Sequence, residues 1–232
     1  MPSFRHPQLT HPAAEVLAEA EVTPPAADPL PTLSEPSALP PVLDSSTEPL
    51  VEVGHDRIAI VDCYALAGWE HAHGGAWLRA SATDRLTRAA ASLPERWGLC
   101  VFDAWRPLAL QAELYEAVYA DASFPPGYVS YPDPDPQAPP PHLTGGTVDC
   151  SLTLDGVPLA LGTGFDDFTP RAHSSALEHE HCVERDLRRL LFWTMHRVGF
   201  VMLSCEWWHF EYGTRRWAAI TENRPLYGPT HP

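Results

Sequence analysis

The chain has no lysine. Its 15 basic side chains are all arginine, set against 30 acidic ones, for a formal charge of −15 over 232 residues. A surface of that sign repels a phosphate backbone, so nucleic acid is excluded as a partner. Cysteine is sparse and unpatterned: Cys63, Cys100, Cys150, Cys182 and Cys205 are odd in number and contain no Cys-x-x-Cys pair. That excludes a zinc ribbon or a dithiol redox motif and points to reduced core residues in a cytoplasmic setting. No apolar run approaches the ~20 residues needed to span a bilayer. The start, Met1-Pro2-Ser3-Phe4-Arg5-His6-Pro7, lacks the charged and then apolar regions of an export signal.

What the chain has in quantity is proline and tryptophan, 26 and eight residues respectively, in a composition that is 44% hydrophobic. Residues 1–49 are dense in Pro, Ala, Glu and Ser and bury too little apolar surface to offset their ordering entropy. An extended or disordered segment is expected there, with a helix-compatible patch over 13–21. Residues 50–232 are expected to form one domain. Within it, 58–62 and 99–103 read as strands, 63–77 as a loop, and 83–93 as a helix with Leu86, Ala89, Ala90 and Leu93 on one face. Pro107 suits a first helical position, with Leu110, Leu114 and Val118 continuing a stripe. Residues 124–141 form a proline-rich loop that delivers His142. A strand over Thr147–Leu154, a helix over 184–198 with Gly199 after it, and a last strand over 200–210 complete the pattern.

Two stretches carry chemistry. Cys205-Glu206-Trp207-Trp208-His209-Phe210-Glu211-Tyr212-Gly213 sets a carboxylate three residues before a histidine, among aromatic rings that exclude water. His142-Leu143-Thr144-Gly145-Gly146-Thr147-Val148-Asp149 offers a second histidine and a carboxylate, separated by glycines that let the backbone turn. His142, Asp149 and His209 together supply three nitrogen and oxygen donors. A catalytic zinc takes three protein ligands and leaves a position for water, whereas structural sites close with four, mostly thiolates. One Zn2+ per chain is therefore expected, with Glu206 as its base. On an undistorted strand Glu206 and His209 point to opposite faces, so a bulge or bend is required near Trp207 or Trp208. Alternation likewise turns Val148 and Cys150 away from Asp149. A second set, His173, His179 and His181 with Glu178 and Glu180, lacks an apolar surround and reads as a solvated loop.

Asp103-Ala104-Trp105-Arg106-Pro107, the His142 to Asp149 spacing, Gly162-Thr163-Gly164-Phe165-Asp166 and Glu206-Trp207-Trp208-His209 occur in that order over about residues 50–225. In this the chain resembles the zinc D-alanyl-D-alanine dipeptidases of the vancomycin-resistance type. The resemblance implies an α+β fold, an antiparallel sheet flanked by helices of the hedgehog/D,D-peptidase kind, beside the extended Pro-rich N-terminal segment. It implies zinc on His142, Asp149 and His209, Glu206 as general base, and Arg106 stabilising the transition state. Asp166 would anchor the free amino group of a small D,D-dipeptide. The chain departs from the pattern at Pro140 and Thr144, where the family often has serine and arginine, and at Trp105, where tyrosine is frequent.

The expected function is zinc-dependent hydrolysis of D-Ala-D-Ala by metal-activated water. Two alternatives stand beside it. A D,D- or L,D-carboxypeptidase trimming peptidoglycan stem peptides would need an open groove and usually an export signal. A non-catalytic zinc-binding regulatory domain would need neither Glu206 nor Arg106 to hold its metal. Oligomeric state is not readable from the sequence.

Overall fold

The computed structural model describes residues 9–120, 124 and 127–232; the residues read for a leader, 1–7, and part of the proline-rich loop lie outside them. In chain order the strands are β1 (His11–Pro12), β2 (Leu50–Glu52), β3 (Ile58–Ile60), β4 (Trp77–Arg79) and β5 (Trp97–Asp103), then β6 (Thr147–Leu154), β7 (Val157–Ala160), β8 (Val201–Met202) and β9 (His209–Glu211). The helices are α1 (Ala13–Glu19), α2 (Cys63–Ala67), α3 (Ala80–Ser92), α4 (Leu108–Tyr119), α5 (Val183–His196) and α6 (Arg215–Thr221).

β6 is the axis of the main sheet. All eight of its residues, Thr-Val-Asp-Cys-Ser-Leu-Thr-Leu, are buried, which fits a strand covered on both faces. β5 runs antiparallel along one side of it; on the other, β9 pairs its first half and β7 its second. The expected antiparallel pattern holds through this centre, and parallel pairs add to it at the edges, β3 beside β5 and β1 beside β7. The protein is thus a mixed α+β structure. Val148, Cys150, Leu152 and Leu154 from β6, with Leu99 and Val101 from β5, join Leu86, Ala89 and Ala90 of α3 and Leu187, Leu191 and Met195 of α5 in one core. A smaller apolar cluster, including Tyr64, Trp69, Leu110, Leu114 and Val118, is built from α2, its flank and α4.

Three local features differ from the sequence expectations. Residues 63–77 contain α2 as well as loop, and α6 follows β9, capped by the Thr214 hydroxyl, which accepts from the Trp217 N–H. The third matters most: 200–210 is no single strand but a hairpin, β8 and β9 joined by a loop over residues 203–208. The loop persists because its backbone finds partners elsewhere. Trp207 N–H donates to the Ala172 carbonyl at 3.1 Å, and the Ser204 carbonyl accepts from Ser174 N–H at 2.9 Å.

Two buried arginines tie loops to this frame. Arg188 of α5 donates to the carbonyls of Leu161, His173 and Arg171 at 2.8, 2.8 and 3.0 Å, closing both ends of the loop that carries Asp166. Arg79 donates to Thr144 O at 2.9 Å and Gly228 O at 3.1 Å, holding the turn after His142 against the C-terminal segment.

Residues 9–49 lie along this body. Ala13 and Leu17 of α1 are buried in the main core, Trp193 Nε1 donates to Asp28 O at 2.8 Å, and Arg215 donates to the carbonyls of Pro40 and Leu39 at 2.9 and 3.0 Å. With Leu17 enclosed in this core, Leu17→Ala is expected to lower unfolding stability by about 2–4 kcal/mol. Leu43→Ala, at a side chain 76% exposed, stays within about 0.5 kcal/mol. Denaturant unfolding of both variants checks this, and a wild-type midpoint for Leu17→Ala would contradict it.

Candidate metal centre

The centre is assembled across neighbouring strands. In the β6–β9 pairing Asp149 stands opposite His209, and in the β5–β6 pairing Asp103 stands opposite Asp149. The second match depends on an irregularity: Val101 pairs with Cys150, so Phe102 is an extra residue before Asp103 meets Asp149. Such a bulge re-aims the residue that follows it, and here it brings the Asp103 carboxylate beside Asp149. Val148 and Cys150, on the opposite face of β6, go into the core.

His142 arrives from the turn His142–Thr144, whose following residue, Gly145, has φ +70°. The left-handed backbone angle favours glycine, and a side chain there would also press on Leu50 Cδ2, 2.4 Å away. Donor atoms of His142, Asp149 and His209 all lie within 4.8 Å of one another, and no other such group occurs among the described residues. His142 Nε2 is 3.3 Å from Asp149 Oδ2, and His209 Nδ1 is 3.0 Å from Asp149 Oδ1. Donors about 2.0–2.1 Å from a tetrahedral ion stand roughly 3.3 Å apart, so these spacings suit a shared cation. The His173, His179 and His181 stretch shows no comparable convergence: Glu178 pairs with Arg189, Glu180 with Arg171, and His181 Nδ1 lies 3.2 Å from Arg185.

The outer nitrogens decide what the inner ones can do. His142 Nδ1 is 2.7 Å from the Ala104 carbonyl, which can only accept, so the proton sits there. His209 Nε2 is 3.0 Å from Glu211 Oε1, again an acceptor. In the neutral state both inner nitrogens therefore turn lone pairs toward the oxygens of Asp149. Only a cation placed between them, a proton or a metal ion, makes that arrangement favourable. The same demand appears in the acidities. Burial opposes a charged His209, but hydrogen bonds to Asp149 and Glu211 outweigh it and raise its pKa well above the usual imidazole value. Burial would likewise raise Asp149, yet His142 and His209 beside it bring its carboxyl below the ordinary range. A buried N2O donor set with fixed tautomers and a net demand for positive charge fits zinc.

Glu206 sits in the loop between β8 and β9, its Oε2 3.7 Å from His209 Nδ1. The hairpin turn thus places glutamate and histidine on the same side, as the sequence argument required, though by a loop rather than a bulged strand. Both neighbouring indoles go inward: Trp207 donates to Thr163 Oγ1 at 2.8 Å, and Trp208 packs edge-on to Phe165. Burial pushes the Glu206 carboxyl up to about 8, with Asp149 and Asp166 adding to the rise and His209 and Arg106 opposing it.

Arg106 reaches in from the segment before α4. It contacts Asp103 Oδ2 at 2.8 Å and Asp149 Oδ2 at 3.7 Å, and donates to Gln111 Oε1 at 2.8 Å and the Tyr64 hydroxyl at 3.3 Å. Burial would lower it, but Tyr64, Asp103 and Asp149 hold it firmly protonated. Asp166 lines the same pocket with φ +55°, and its Oδ2 accepts from Tyr64 at 3.0 Å. All six site residues named from the sequence therefore line one pocket.

Sequence reasoning missed Tyr64, Gln111, Glu211 and Arg216, which line it too. For Glu211 a signal existed: two residues after His209 on a strand, it must share that residue's face. Tyr64 comes from α2, far away in sequence, and no local pattern announces it.

A family model described as D-ala-D-ala dipeptidase matches residues 78–224. The D-alanyl-D-alanine dipeptidase of Synechocystis is 28% identical over 175 residues, covering 61% of this chain and 71% of that protein. The D-alanyl-D-alanine dipeptidase of Escherichia coli K12 is 34% identical over 118 residues, covering 49% and 54%. Among solved structures, a variant of the vancomycin resistance D,D-pentapeptidase VanY in complex with Zn(II) aligns with 66% of this chain and 81% of its own, at 18% identity and a TM-score of 0.40. With the family match extending over more than half of the chain, the chain belongs to the D-ala-D-ala dipeptidase family, a family of metallopeptidases.

Proposed function

We propose that the protein is a zinc-dependent D,D-dipeptidase that cleaves D-Ala-D-Ala, with the ion held by His142, Asp149 and His209. The observation that carries this reading is the convergence of those donors, inner lone pairs first, on one point beside Glu206 and Arg106. Bound there, zinc supplies Lewis acidity, bringing the pKa of a coordinated water to about 7 and polarising the scissile carbonyl.

The remaining work falls to the chain. Glu206 takes the proton of the attacking water and delivers it to the leaving amine, a role typically worth roughly 10²–10⁴-fold. Its raised pKa makes it a willing proton carrier near neutrality. Arg106 offers its fork of donors to the oxyanion that develops on the carbonyl, oriented by Asp103 and Gln111. Asp166, steadied by the Tyr64 hydroxyl, pairs with the free ammonium of the substrate. Tyr128 and Phe168, with ring centroids 5.2 Å apart, wall the pocket near these groups, which favours a short substrate over an extended stem peptide. No helix among the described residues is long and apolar enough to cross a membrane.

Purified protein is expected to hydrolyse D-Ala-D-Ala, to leave L-Ala-L-Ala and a stem pentapeptide essentially untouched, and to lose activity with a chelator and regain it with zinc. Preference for the pentapeptide would establish the carboxypeptidase reading, and no turnover of any of the three would favour the regulatory one. Glu206→Ala is expected to be folded and zinc-loaded but at least about 10²-fold slower. Metal analysis beside the kinetics checks it; retained hydrolysis removes Glu206 as the base. Arg106→Ala should lower kcat by about 10²–10³-fold with zinc near stoichiometric, and loss of metal from that variant would contradict its role toward the oxyanion.

A further inference from the structure

Glu211 touches neither the substrate nor the ion in the chemistry set out above, yet it is among the most completely enclosed charged groups in the molecule, 2% exposed. Burying a carboxylate is costly unless its oxygens are satisfied, and here they are. One oxygen, Oε1, lies 3.0 Å from His209 Nε2 and accepts from Arg216 Nε at 2.9 Å. The other accepts from the Thr214 hydroxyl in a short contact. Thr214 is fixed in turn, since its hydroxyl caps α6 by accepting from Trp217 N–H at 3.2 Å. Glu211 is therefore held by a helix start and a guanidinium, with one acceptor direction aimed at the ring of His209.

Resting on the zinc reading above, we propose that Glu211 is the positioning residue for His209: its carboxylate keeps the proton on Nε2 and so presents Nδ1 to the ion. The two imidazoles of the centre present different nitrogens to it. His142 Nδ1 lies 2.7 Å from Ala104 O and 3.2 Å from Asp103 Oδ2, and the ring turns its Nε2 inward. His209 is fixed by a side-chain carboxylate and turns its Nδ1 inward. The difference follows from where the residues sit. His142 lies on a turn that passes close to the backbone after β5. His209 lies on β9, whose own backbone groups serve the pairings with β6 and β8, so its orienting acceptor comes from the next residue on the same face.

The orienting carboxylate is also linked to the N-terminal segment. Arg216, which holds Glu211, pairs as well with Glu35, and Glu35 Oε1 accepts from Ser204 N–H at 2.9 Å at the start of the loop that carries Glu206. The segment thus touches the supports of both His209 and Glu206, from outside the residues that match the family model.

Zinc dissociation constants from chelator competition, on apo-protein reloaded with zinc alone, test the proposal for wild type, Glu211→Ala, Glu211→Gln and His142→Ala. Outer partners of this kind are typically worth 10–100-fold in metal affinity. Glu211→Ala is expected to weaken zinc by that factor, and Glu211→Gln, which keeps an acceptor oxygen, to fall between it and wild type. His142→Ala should lose tight binding. A folded Glu211→Ala with wild-type affinity, alongside a His142→Ala that has lost it, overturns the positioning role and leaves the zinc centre standing. Wild-type affinity in His142→Ala overturns both. Should Glu211→Ala fail to fold, the wild-type protein decides: with cadmium-113 in place of zinc, nitrogen-15 spectra must show the metal coupled to His209 Nδ1 and the proton on Nε2, and coupling through Nε2 refutes the proposal.

Discussion

Two neutral imidazoles and a carboxylate, enclosed together with their lone pairs facing one another, form an arrangement that is unfavourable until positive charge enters it. Most of the features around the centre follow from keeping that arrangement in place. The outer nitrogens of His142 and His209 are each committed to an acceptor, so neither ring can turn its proton inward and settle the conflict without taking up a further cation. Asp103, Asp149, Glu206 and Glu211 gather around the point of convergence, with Arg106 and Arg216 as fixed positive partners among the described residues. A divalent ion would settle the excess, and the folded chain carries the electrostatic strain that makes it welcome.

Backbone irregularity puts the donors there. A regular β5 would have turned Asp103 away from Asp149; the extra residue at Phe102 turns it back. A regular strand through 200–210 would have separated Glu206 from His209; the hairpin loop unites them, held by hydrogen bonds to the 172–174 segment. Behind both irregularities the packing is dense. Trp207 and Trp208 are buried, and Arg188 fixes the ends of the loop bearing Asp166. Departures from regularity survive because the rigid sheet and the helices on it leave those segments no better alternative.

The carboxylates of the site are pushed in different directions by their surroundings. Asp149, between two imidazoles, is held ionised, while Glu206, also buried but with fewer partners, is raised to about 8. Separation of this kind distinguishes a carboxylate suited to hold a cation from one suited to carry a proton.

Much of the local structure was legible in the sequence, because it depends on near neighbours. Apolar periodicity located α3, α4 and α5, alternation in 147–154 turned Cys150 inward and Asp149 outward, and ordered motifs brought six site residues into view. What the sequence could not supply were the relations between distant segments. That Asp103 stands level with Asp149 depends on a bulge with no local signature. That 200–210 folds back on itself depends on carbonyl and amide partners some thirty residues upstream. Tyr64 enters the pocket because α2 packs against β5, and residues 9–49 gain their contacts only from a surface formed by the rest of the chain. Composition and spacing determined which chemical groups were present; the closing of the sheet decided which of them would face the same few ångströms of space, since register and loop path are set by packing across the whole molecule.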